Sequence, residues 1–231
     1  MVSEKEITDT FNGLVAGFIK DGSFFRLWKE GLVEKSAAEG FLISFDSLVK
    51  SFPALIAAGA ARAEDENTRG VLAANLFQEC GEGDPTRTHH AIYRKFLKTA
   101  GIEVVSTPIS PFTAEWRVKL SEYIHETSGV CGVIGVLAAG EFLAQPVLGL
   151  IYPILKRHYP RADQEYFTKH LVLETKHVTE ITGLIAYQMK GELEWGEVLM
   201  GFKFGLSVWE DYFRHLTQFV FGENQRNPLK F

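Results

Sequence analysis

The chain has 231 residues, 46% hydrophobic and 23% charged, the balance of a water-soluble globular protein rather than a disordered or fibrous one. Its 24 Lys and Arg against 29 Asp and Glu leave a formal charge of -5, which argues against a nucleic-acid partner. Two cysteines, Cys80 and Cys131, exclude a disulfide framework or a four-cysteine zinc site, and the polar, acidic start MVSEKEITDT shows no targeting signal, so a cytoplasmic setting is expected.

Helical periodicity dominates; Val104-Val105 is the only short strand candidate. Thr8 to Lys20 carries Phe11, Leu14, Val15, Phe18 and Ile19 at helical spacing before the Asp21-Gly22 breaker, and Ser23 to Glu30 adds a turn or two. Ser36-Ala-Ala-Glu39 has the form of a capping box opening the next helix, which Pro53 is expected to kink or restart. A helix after Asn67 should run to about Cys80 and stop at Gly81-Glu-Gly83. Asp84-Pro85 and Ser110-Pro111 are N-cap and first-turn pairs for the two helices that follow.

From Val130 to Leu155 the sequence has a single charge, Glu141, over 26 residues. That length could span a membrane. Four glycines, Pro146, Pro153 and a central carboxylate favour instead a helix buried at the centre of a helical protein. Asp163 would cap a long helix to Met189, and Glu194 to Phe221 makes the last. No repeat or low-complexity linker interrupts, so the sequence predicts one all-α domain over residues 1–231, a bundle of seven to eight helices.

The chemistry lies in where acids and histidines fall on those helices. In His170-Leu-Val-Leu-Glu174-Thr-Lys-His177, offsets of four and seven stack three side chains on one helix face; a metal site and a solvated polar stripe both fit. Glu141 in its apolar helix needs a cation, whether a metal or an Arg or Lys partner. Glu79 shares the face of Val71, Leu72 and Leu76. His89 aligns with Ile92, Tyr93 and Phe96, whereas His90 aligns with Arg94 and Lys98, which makes His89 the inward one. Glu79, His89, Glu141, His170, Glu174 and His177 together form an N/O set suited to two iron or manganese ions rather than one structural zinc. No phosphate-binding glycine loop or nucleophile elbow is present.

The run Asn75-Leu-Phe-Gln-Glu79-Cys-Gly-Glu-Gly-Asp84, His89 ten positions after Glu79, the lone Glu141 and His170-x3-Glu174-x2-His177 resemble the haem-oxygenase-like diiron oxidases. The resemblance spans about Leu72 to His177. It implies a haem-oxygenase-like and thiaminase-like fold, usually dimeric. It also implies a diiron oxygenase that activates O2 to a peroxo species and oxidises a small molecule, by N-oxygenation, carbon–carbon cleavage or nitrile formation. On the family pattern Glu79, His89 and His177 would hold one iron and His170 and Glu174 the other, with Glu141 shared and all three glutamates catalytic. A further glutamate of some members has no counterpart near Pro53, so the second metal is expected to bind more weakly; Glu174 stands where members often carry aspartate.

The 18 phenylalanines and 4 tryptophans could wall an apolar pocket, and an aromatic amino acid is the expected substrate, with an external electron donor as a possible partner. Two other readings stand beside this one. They are a thiaminase-like hydrolase using Cys131, or a cofactorless member of the same fold, and a non-enzymatic interaction protein stabilised by metal.

Overall fold

A computed structural model describes residues 2–104, 110–189 and 191–222. It contains nine α-helices: α1 Glu4–Asp21, α2 Ser23–Lys29, α3 Lys35–Arg62, α4 Glu66–Glu79, α5 His89–Thr99, α6 Pro111–Glu126, α7 Val130–His158, α8 Glu165–Gln188 and α9 Glu192–Phe221. No strand occurs among the described residues; Val104 lies in irregular backbone and Val105 outside the described set. Among the described residues the all-α expectation holds, with nine helices in place of seven or eight.

The starts and stops follow local chemistry, not always at the predicted residue. Helix α1 begins earlier than its apolar stripe because Ser3 and Glu6 form a complete capping box. The box expected at Ser36 and Glu39 does not form: α3 starts at Lys35 behind Glu34, without a side-chain cap. Asp84-Pro85 opens only a single 3-10 turn, Pro85–Arg87, and Thr88 then caps α5 through the Ala91 amide. Ser110 caps α6 through the Thr113 amide, as its sequence predicts. Gln164, not Asp163, precedes α8, although Asp163 accepts from the Glu165 amide.

Pro53 lies inside α3, and Pro146 and Pro153 lie inside α7. An internal proline costs a helix about 3 kcal/mol, and packing outweighs that cost here, since α7 lies against α8 and α9 along its length and also meets α1, α2, α3 and α6. Its first three turns are almost entirely buried. This helix and α3 are long and apolar enough to cross a membrane, but α7 spends that apolar surface on its neighbours. Close approach of α7 and α9 depends on glycine: a Cβ at Gly135 would strike the Val198 carbonyl, and one at Gly201 would strike the Gly132 carbonyl.

Candidate metal centre

Four helices deliver the six predicted residues to the interior. Glu79 ends α4, His89 begins α5, Glu141 sits mid-way along α7, and His170, Glu174 and His177 lie on α8. All six are buried, Glu141 being 3% exposed and His89 and His177 1%. A carboxylate in the last turn of a helix faces the negative end of its dipole, so Glu79 is placed where only a nearby cation or proton stabilises it. The turn that brings Glu79 back to His89 passes through Gly81 at φ +80°, where a Cβ would run into the Thr88 amide and the Arg87–Thr88 peptide. That is why glycine follows the glutamate so closely.

The six side chains form two adjoining triads, each with its ligand atoms within 4.8 Å of one another. In the first, His89 Nδ1 lies 2.8 Å from Glu79 Oε2 and 3.0 Å from His170 Nε2. In the second, His177 Nδ1 lies 3.2 Å from Glu141 Oε2 and 3.7 Å from Glu174 Oε2. This grouping differs from the one implied by the resemblance, which placed His177 with Glu79 and His89, and His170 with Glu174. The reason is helical geometry. His170 and His177 are two turns, or roughly 10 Å, apart along α8; the start of α5 meets the former and the end of α4 the latter.

Outer partners aim the imidazoles inward. The Tyr166 carbonyl can only accept, so His170 Nδ1 donates to it at 2.6 Å and Nε2 presents its lone pair to the first triad. His177 Nε2 donates to Gln78 Oε1 at 3.0 Å, leaving Nδ1 directed at the two carboxylates. Asn75 Nδ2 donates to Glu141 Oε1 at 2.9 Å. Such contacts fix the tautomer and orientation of metal-binding side chains. Asn75 and Gln78 precede Glu79 by four residues and one residue, on the flank of α4 that meets α7 and α8. The sequence motif contained both without revealing their roles, because neither amide has a spacing that marks a partner on another helix.

Burial holds the His170 imidazole down at about 3, reinforced by neighbouring His89. It pushes the Glu174 carboxyl up to about 8, against the pull of His177 and with the charge of Glu141 adding to the rise. For His177 burial acts downward but the carboxylates of Glu141 and Glu174 outweigh it, raising the imidazole to about 10. Neither Glu174 Oε2 nor His177 Nδ1 makes a well-directed hydrogen bond, although both are buried. No Arg or Lys reaches Glu141 among the described residues, so the partner-cation alternative for this carboxylate fails. Poorly bonded, buried N and O atoms converging in two clusters fit metal ions well.

Five of the six residues, all but His177, also line a single cavity. Its other walls include Phe45, Leu48 and Phe52 from α3, Leu143 from α7, and Trp209 and Phe213 from α9. The face that α3 turns to the cavity carries no carboxylate, in keeping with the absence of an extra ligand near Pro53. Asp46, the buried acid of α3, is instead bound by Arg94 at 2.5 Å and by His90 at 3.1 Å. His90 thus sits on the polar flank predicted for it. Cys131 is buried on α7 and is not among the cavity-lining residues.

Residues 39–210 match a protein family described as iron-containing redox enzymes, a stretch that holds all six residues. The chain belongs to this family. Its fold resembles that of a CADD-like protein of unknown function from Nostoc punctiforme, with 20% identity, a TM-score of 0.78 and coverage of 93% of this chain and 97% of that one. A Shewanella denitrificans domain of unknown function with a heme oxygenase-like fold superposes with a TM-score of 0.74 at 14% identity, covering 98% of each chain. No curated protein matches. The fold is therefore haem-oxygenase-like, and the family is one of oxidoreductases that contain iron.

Proposed function

We propose that the two triads hold a pair of iron ions and that the protein uses dioxygen to oxidise a small organic molecule seated in the adjoining cavity. The observation that carries this reading is that five residues of two buried N/O triads share a wall of one otherwise apolar cavity. The donors are hard carboxylates and imidazoles with no thiolate, a set that suits iron, or manganese in its place, over a structural zinc. When bound, two ferrous ions supply electrons for the reduction of dioxygen, with an external donor completing the count where the substrate gives fewer.

The chain's own groups set the conditions. Glu79, His89 and His170 would hold one ion and Glu174 and His177 the other. Glu141 touches the second triad directly and lines the shared cavity, the position for a carboxylate common to both. Tyr166 and Asn75 fix His170 and Glu141 from outside. Burial keeps the Tyr166 phenol protonated far above its ordinary range, with Glu79 and Glu174 adding to the effect. The aromatic walls exclude water from the reacting volume.

Anaerobic titration with iron(II) should saturate at two ions per chain, and admission of oxygen should then be followed by substrate-dependent oxygen consumption. Equal iron binding by the unmutated chain and by Glu141→Ala would overturn the proposal. Thiaminase-like hydrolysis finds no support at this site, since Cys131 stands apart from the cavity.

A further inference from the structure

The metal cavity is walled almost entirely by buried side chains, with Phe52 and Ala144 half-buried. A solute therefore enters through a wall that moves. Between the α1–α2 junction and α9 lies a second, outer space of about 350 Å³, room enough for a small organic molecule. Asp21, Ser23, Glu210 and Arg214 edge this vestibule and all four are exposed, so it stays wet. The inner cavity has no charged wall residue besides those of the triads, among the described residues.

One side chain separates the two. Phe213, alone among the described residues, borders both the vestibule and the metal cavity. It is 5% exposed. Its ring runs nearly parallel to that of Trp209, an inner-wall residue, at 5.7 Å, and meets Phe24 and Phe25 of α2, both vestibule residues, at 4.9 Å each. The junction between α1 and α2 keeps this cluster tight: a Cβ at Gly22 would lie 2.6 Å from Phe25 Cδ2, so the missing side chain is what lets Phe25 fold back against Phe213.

Taking the metal cavity as the substrate's seat, as proposed above, we infer that the vestibule is its entrance and that Phe213 is the gate between them. Swinging this one ring joins the two spaces, and its return closes the dry interior to water. Such a movement is local and leaves the helices in place. Phe52, the half-buried aromatic of the same wall, is no equivalent, because it backs onto a smaller hollow lined by Leu55, Leu120 and Ile124 with no charged residue around it.

The entrance can be tested without metal. Val49→Cys sets a thiol on the cavity wall, and its reaction with methyl methanethiosulfonate, a small neutral reagent, is followed by mass spectrometry of the peptide that carries it. The native cysteines serve as controls. Cys80 is exposed and reports the reagent, whereas Cys131 is buried away from the cavity wall and reports general opening of the fold. In the Val49→Cys background, Phe213→Ala and the milder Phe213→Leu should speed labelling of the cavity thiol about tenfold or more, since opening no longer lifts a phenyl ring from its aromatic neighbours. Labelling of Cys131 should not change. Gly22→Ala should also speed entry by displacing Phe25, and Phe52→Ala should not. A rate unmoved in both Phe213 variants, an acceleration that Cys131 shares in both, or a cavity opened by Phe52→Ala instead overturns the inference; an unchanged rate in Gly22→Ala overturns the part given to α2. Iron(II) titration of the parent chain is a separate check: no uptake overturns the metal reading, while the labelling rates still decide the entrance.

Discussion

In the metal-free protein both triads hold protons where a metal ion would sit, and in the second both Glu174 and His177 are protonated below about pH 8. His89 Nδ1–H lies between Glu79 and His170, and the His177 imidazolium faces Glu141 and Glu174. Metal uptake must displace these protons, because a ligand atom cannot carry both. Affinity for iron(II) or manganese(II) should therefore rise as pH passes upward through about 8, where Glu174 titrates. Calorimetry in buffers of differing ionisation enthalpy should register proton release, and an affinity flat with pH would contradict the assignment. The same groups govern stability. Glu174 and His177 are raised in the folded state, so what they contribute is present at low pH and lost as pH climbs through about 8 and about 10. His170 is depressed, so its contribution is lost as pH falls below its ordinary value toward about 3. Melting temperature of the metal-free protein should be highest between about pH 4.5 and 6.5, where the Glu174 and His170 contributions offset each other, and fall toward both acid and alkali; bound metal should flatten the alkaline side. Gln78 works one step outward. Replacing it with alanine removes the acceptor that orients His177 and should weaken metal binding by about 10–100-fold, with little change in melting temperature.

At the level of elements, the decisive piece is the short return between α4 and α5. Gly81→Ala would strain a left-handed residue and push against the Thr88 amide that begins α5. It should destabilise the fold by about 1–3 kcal/mol and also lower metal affinity, because His89 would shift from Glu79. Urea unfolding and metal titration together check this; full metal affinity in a destabilised variant would show that the return does not set the site. The six residues were legible in the sequence for a specific reason. Helical periodicity gives each helix a face, so an acid or histidine on an apolar face must point inward, and Glu79, His89, Glu141 and the α8 trio all do. What periodicity does not give is which faces meet. The division of His170 and His177 between triads depends on how α4 and α5 lie across α8, a tertiary fact with no local signal. The same limit hid Asn75 and Gln78. Of the two outcomes expected at Pro53, a restart does not occur, because the local penalty does not register the packing that keeps α3 continuous.

Across the whole molecule, the site ties four helices together through groups that are unfavourable to bury. The all-α fold follows from composition and periodicity, but the close packing of α7 on α9 rests on Gly135 and Gly201, where a Cβ would strike the facing backbone. Function and stability should then separate in one variant. Glu141 is a 3% exposed carboxylate whose neighbours are an amide, an imidazolium and another acid. Removing one partner of a buried ion pair costs about 3–5 kcal/mol, and here Asn75 and His177 would each lose the carboxylate that they face. Glu141→Leu should therefore lower the melting temperature of the metal-free protein, and the metal increment, not that baseline, reports on its role as a ligand. In the unmutated protein, metal at a hundred times its dissociation constant should add about 2.7 kcal/mol, and Glu141→Leu should lose most of that increment. Paired thermal melts with and without manganese(II) decide the matter. If the variant melts far below the parent without metal yet gains the full increment with it, Glu141 is a structural residue, and the cation that its burial calls for lies elsewhere.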